Sequence, residues 1–141
     1  IAQVGELEDG RLLVVARGTE RLRVTSWMED DPYPCAEIEE FPIESGRDDA
    51  DAIGTAELAV RRLRSLLSEL GEIPALPHDL DLSGRDEEAG WRLCELAPLN
   101  LLDRQQLLAA PRLSGQMELL TGLCDAMADD VVGLLAGGDE S

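Results

Sequence analysis

The densest run of side chains able to do chemistry lies between Gly18 and Pro42, in GTERLRVTSWMEDDPYPCAEIEEFP. It holds Arg21, Arg23, Glu29, Asp30, Asp31, Tyr33, Cys35, Glu37, Glu39 and Glu40. Carboxylates at this density suggest a hard-cation site. A calcium loop of the EF-hand type needs oxygen ligands at alternate positions, a glycine at the sixth and a glutamate at the twelfth. Here Glu29, Asp30 and Asp31 are adjacent and Pro32 follows, so the pattern fails and no metal site is expected. A pair of carboxylates working on a glycosidic bond needs a cleft between them, and nothing in the sequence locates one.

Nucleophilic catalysis has few parts available. His78 is the single histidine, in the proline-bounded stretch ALPHDLDL beside Asp79. Any Ser-His or Cys-His scheme would have to use it. The chain has no lysine, which removes a Ser-Lys dyad and a Walker lysine together, and no glycine-rich phosphate cradle occurs. No catalytic residue and no cofactor are expected. Arg61, Arg62 and Arg64 could clamp an anion, but the expected reading is a solvated helix face paired with Glu57 or Glu69.

Composition narrows the partners. Thirty acidic residues stand against twelve basic ones in 141 residues, and all twelve are arginine, giving a net charge of −18. That field repels phosphate backbones, so no nucleic-acid partner is expected. No apolar run approaches the ~20 residues that span a bilayer, so no membrane partner is expected either. Cys35, Cys94 and Cys124 form no C-x-x-C pair and are odd in number. They read as reduced residues of a cytoplasmic protein. The opening IAQVGELE lacks a start methionine and reads as the middle of a strand, so a fragment of a longer chain is expected.

The elements that would position these residues fall into two blocks. Residues 1–45 read as β. An Asp9-Gly10 pair separates two apolar runs, a hairpin signal. Leu12 to Val15 is apolar on both faces, which predicts a central strand. In ERLRVTSW, Leu22, Val24 and Ser26 share one face, and Arg21, Arg23, Thr25 and Trp27 the other. Period two of this kind predicts a half-buried strand. EDDPYP turns the chain. CAEIEEF then places Ala36 and Ile38 inward, with Cys35, Glu37 and Glu39 outward. Pro42 to Gly54 reads as a linker or a β-to-α crossing.

From residue 46 to 141 the period becomes 3.6. A first helix is predicted from about Ala52 to Leu70, capped by Asp51 and stopped by Gly71, with a stripe of Leu58, Leu63, Leu66, Leu67 and Leu70 beside Ala59. A second covers about Asp86 to Ala97 and ends at Pro98. A third, Leu101 to Ala109, has Asn100 as cap with Asp103 three residues on. The fourth carries Leu113, Met117, Leu120, Cys124, Met127, Val131 and Leu134 on one continuous stripe. That stripe packs on the other helices or forms a seam with a partner. The LLAGGDES end reads as frayed. The fold class is α+β: a small, mostly antiparallel β-subdomain (1–45) followed by a bundle of about four helices (46–141), the last long and amphipathic.

Two blocks of sequence carry a family resemblance. The pattern R-G-x-x-R-x-R-V falls on Arg17, Gly18, Arg21, Arg23 and Val24. The pattern D-x-P-Y-x-x-A-x-[IV] falls on Asp30, Pro32, Tyr33, Ala36 and Ile38. LCELAPLNLLDRQQLLAA adds a downstream match. Together these resemble the N-terminal substrate-binding domain of ATP-dependent Lon protease. The resemblance implies a β-subdomain joined to a helical bundle, no catalytic role, and recruitment of polypeptide segments or a partner protein for proteolysis or quality control. Family domains begin with further strands that this sequence lacks, as do the ATPase and protease modules, so the likeness is to a truncated, stand-alone bacterial relative. An incomplete sheet would leave an edge for a second copy, a homodimer, or a swapped strand to cover. The residues expected to contact a peptide or partner are Trp27 and Tyr33, large aromatics near the hairpin. The alternative is a structural module that associates through the open sheet edge or the last helix.

Overall fold

The computed structural model describes residues 2–137. It is an α+β protein with four strands followed by four helices. The chain separates into two compact units, one up to Pro42 and the other from Ile43 on.

The β unit contains two antiparallel pairs. Strands β1 (Gln3–Glu6) and β2 (Leu12–Val15) form the first. Their turn closes with Gly10 N–H donating to Leu7 O and Leu7 N–H to Arg11 O. Gly10 has φ +81°, a left-handed conformation that glycine adopts without a Cβ penalty. The Asp9 carboxylate takes the Arg11 backbone N–H at 3.1 Å and its Nε at 2.7 Å. Strand β2 is not central: among the described residues it pairs with β1 alone. Leu12, Leu13, Val14 and Val15 are all exposed. Apolar character on both faces thus marks surface here rather than a sheet interior.

Strands β3 (Leu22–Trp27) and β4 (Ala36–Glu40) form the second pair. The register runs Val24 to Ile38, then Ser26 to Glu37 and Trp27 to Ala36, so Thr25 is an extra residue in a β-bulge. Pairing partners share a face, and Ile38 and Ala36 lie two apart on β4. Trp27 therefore joins Val24 and Ile38, not Arg23. Simple alternation placed it on the charged face, and the bulge moves it to the apolar one. The expected half-burial also fails, because every residue of β3 is exposed.

The helical unit holds the core. Helix α1 spans Asp49–Glu69, starting earlier than the sequence suggests. Asp51 is not its cap but lies in the first turn, where its charge suits the helix dipole. The Asp49 carboxylate reaches back to the Gly46 N–H at 2.7 Å. The helix ends in a Schellman arrangement: Glu72 N–H donates to Leu67 O, and Gly71 sits at φ +74°. Its buried face is Ile53, Ala56, Val60, Leu63 and Leu67, with Ala59. Leu58 is 70% exposed, and Leu70 is exposed as well. The largest leucines suggested the stripe, but small residues mark where another helix comes close.

Helices α2 (Asp86–Leu96) and α3 (Leu101–Ala109) follow. Asn100 caps α3 by accepting the Asp103 N–H at 3.0 Å. Its own amide donates to Asp103 Oδ2 at 2.6 Å. Helix α4 (Leu113–Gly137) buries Leu113, Met117, Leu120, Cys124, Ala128 and Val131. Ala128 replaces Met127 in the stripe, because a straight helix at 3.6 residues per turn drifts off a strict seven-residue repeat. Leu134, the last expected stripe residue, is 73% exposed. Of the end read as frayed, residues 134–137 are helical and the rest lies outside the described residues. The stripe joins one core cluster with residues of α1, α2 and α3, so up to Val131 it is occupied within the chain. Backbone bonds from Glu44 N–H to Pro111 O and from Leu113 N–H to Glu44 O tie the segment before α1 to the start of α4.

Gly90 allows the closest approach of α2 to α4. A Cβ there would lie 2.6 Å from Leu113 Cδ1 and 3.4 Å from Met117 Cε, both fully buried residues. Gly90→Ala gains ~1 kcal/mol of helix propensity but must displace packed atoms at a cost of about 1–3 kcal/mol. A net destabilisation of up to ~2 kcal/mol is expected in urea unfolding, and a raised midpoint would show that α2 can retreat freely.

Candidate functional site

The arginines expected to line a solvated face do more than pair locally. Arg61 does bond Glu57 Oε1 at 2.8 Å, and it also donates to Pro77 O at 2.7 Å. Arg62 bridges to α4 through Asp125 at 3.4 Å and Asp129 at 2.8 Å. The Asp129 hydrogen bond, then its charge, raises the guanidinium's pKa. Arg64 bonds no Glu69. Its fork donates to Pro74 O at 3.2 and 2.8 Å and to Leu96 O at 2.8 Å. Arg104 donates to Leu99 O at 3.1 Å and Ala97 O at 3.4 Å. These carbonyls lie at helix ends and in loops, where backbone acceptors lack intrahelical partners. A planar five-donor fork serves two of them at once, which an ammonium does less well. The arginines thus act as staples and leave no free anion clamp.

His78 is exposed in the loop after α1, with no serine or cysteine bonded to it. Among the described residues no group of three histidine, cysteine or acidic side chains is placed to hold a metal ion. No helix of the described residues is long and apolar enough to cross a membrane.

The surface that remains is on the β3–β4 pair. Trp27 is 73% exposed and Tyr33 66% exposed. Trp27 ends β3, and Tyr33 lies in the turn, where its carbonyl accepts from the Asp31 N–H at 3.2 Å and the Cys35 thiol at 3.4 Å. Val24, Ile38 and Met28 are exposed too. Sequence reading overlooked Met28, Val24 and Ile38 because it assigned the strand faces to a core. It also missed a ring-stacked cluster at the opposite end of the pair. There the guanidinium carbons of Arg21 and Arg23 lie 4.4 and 4.0 Å from the Phe41 ring centroid. Arg23 also pairs with Glu39 at 3.3 Å. On the same face, Ser26 donates to Glu37 Oε2 at 2.9 Å.

The helical unit carries an apolar depression of about 290 Å³, lined by Trp91, Cys94, Glu95, Arg104, Leu107 and Leu108. Cys94 is buried. Burial, then the neighbouring Cys124 thiol, pushes its pKa up to about 12. Burial, then the Asp125 charge, raises Cys124 to about 11. A thiol needs its thiolate to react.

What these features define is a two-unit α+β protein that displays apolar and aromatic side chains on a β-hairpin and buries the thiols of Cys94 and Cys124. The family model of the ATP-dependent protease La (LON) substrate-binding domain matches residues 1–125, and the chain belongs to that family. A search of curated proteins found no match.

The three cysteines separate by environment: Cys35 is half-buried in the hairpin, and the others are buried in the core. At pH 8, a chromogenic disulfide reagent should titrate one thiol in the folded protein and three in denaturant. Raising the pH to 9.5 should leave the core pair silent, because burial raises both thiols to about 11 to 12. Fast reaction of two or more thiols in the folded state would contradict the burial of Cys94 and Cys124.

Proposed function

We propose that this chain captures segments of non-native polypeptides for proteolysis or quality control and catalyses no reaction itself. Its place in a substrate-binding family supports the first half. The absence of lysine from the sequence and the isolation of His78 support the second. The observation that carries the reading is the exposed apolar face of β3–β4, where the Thr25 bulge sets Trp27 beside Val24 and Ile38. An unfolded segment presents apolar side chains that a folded protein hides, and aromatic side chains bury large area on contact. Trp27 and Tyr33 are the residues assigned to this contact. The reduced cysteines suit a cytoplasmic site of action.

Fluorescence anisotropy with a labelled, permanently unfolded model protein tests this. Trp27→Ala combined with Tyr33→Ala should weaken binding on the order of tenfold, the effect of losing one or two interface anchors. Unchanged affinity with intact folding would remove these two residues from the proposal.

A second reading, self-association, is favoured by β2. The Leu7–Arg11 backbone bond fixes the alternation of the β1–β2 ladder. It turns the N–H groups of Leu12 and Val14 to the outer edge. Val14→Pro blocks that edge without removing a bond to β1. If edge pairing joins two copies, wild type sediments as a dimer and the variant as a monomer. A monomeric wild type would dismiss this reading.

A further inference from the structure

We infer that the β3–β4 hairpin selects polypeptide segments that combine apolar with cationic residues. This rests on the reading of the hairpin as the peptide-contact surface and adds a charge rule to it.

The argument begins with how charge is distributed along the hairpin. The β unit carries ten acidic residues against four arginines. Two of the four, Arg21 and Arg23, are stacked on Phe41 at the open end. A third, Arg11, is paired with Asp9 at 2.7 Å in the other strand pair. The opposite end, the turn after Trp27, holds Glu29, Asp30 and Asp31, and among the described residues the ion pairs of the unit do not include them. From Arg23 to Met28 the strand runs about 17 Å at ~3.3 Å per residue. That is roughly twice the screening length at physiological ionic strength. Arg21 and Arg23 therefore do not neutralise the turn. The hairpin is polarised, with bare carboxylates at the end where Trp27, Met28 and Tyr33 are exposed.

Three occupants can be compared on this surface. A neutral apolar segment would satisfy Trp27, Val24 and Ile38 but leave the turn carboxylates unmatched. An acidic segment would meet repulsion from the turn and from a chain of net charge −18. A segment with arginine or lysine next to its apolar residues would satisfy both features. Its cation could sit over the exposed face of Trp27 or Tyr33, within reach of Asp30 or Asp31. The hairpin already makes such guanidinium-on-ring contacts internally at Phe41. Long-range attraction would also speed the encounter.

The test uses three unstructured peptides with the same apolar residues, whose polar positions are all Arg, all Ser or all Glu. Each is titrated against the full chain by anisotropy at low and high salt. The Arg peptide should bind on the order of tenfold tighter than the Glu peptide, and the ratio should shrink toward one at 0.5 M salt, where screening is within ~4–5 Å. In Glu29→Gln/Asp30→Asn/Asp31→Asn, checked for folding by circular dichroism, the Arg-over-Glu ratio should collapse. Equal binding of all three peptides would overturn the charge rule and leave capture of non-native segments standing. A ratio that persists in the triple variant would overturn the assignment to this turn. No binding by any peptide would overturn both the charge rule and the reading beneath it.

Discussion

The helical unit depends on close approach between α1 and α4. Ala56, Val60 and Leu63 on one helix and Leu120, Cys124 and Ala128 on the other are buried in one cluster. Small side chains at Ala56 and Ala128 let the backbones near each other, and the larger residues fill what remains. Gly90 extends the same logic to α2. Once the helices are this close, their ends and loops present carbonyls that need donors. Arg61, Arg64 and Arg104 supply them from neighbouring turns. These three arginines of a strongly acidic chain thus serve its structure.

The β unit follows different physics. Its strands are paired but not covered, and apolar side chains stand exposed on both pairs. Backbone hydrogen bonds, one ring-stacked arginine pair and short cross-strand contacts such as Ser26 to Glu37 hold the β3–β4 pair. An exposed pair such as Arg23–Glu39 contributes only ~0.2–1 kcal/mol. The surface suits contact with other chains more than independent stability.

Much of this was legible in the sequence. The change of period near residue 46, the Asp9-Gly10 turn, the limits of α3 and its Asn100 cap all follow from local chemistry. Local signals act over a few residues and survive any tertiary context. The stripe of α4 was legible at Leu113, Met117, Leu120, Cys124 and Val131, while drift between 3.5 and 3.6 residues per turn exchanged Met127 for Ala128. The face of α1 was misread because hydrophobic size was taken as burial, whereas packing distance chose Ala56 and Val60 over Leu58. Burial of β2 and β3 was misread because alternation reports which residues share a face, not whether anything covers it. The arginine staples could not be seen, since each joins residues ten or more positions apart or depends on a helix end.

The bulge at Thr25 has a wider meaning. It makes the composition of the exposed β3–β4 face depend on chain length as well as residue type. A residue added to β4 between Glu37 and Ile38 would pair with Thr25, restore plain alternation and carry Trp27 with Ala36 to the side of Arg23 and Glu39, while every side chain kept its identity. The two faces of the hairpin are therefore related by a frame shift. A single insertion opposite the bulge would thus move the aromatic residue to the charged face in one step, by a change of register rather than of composition.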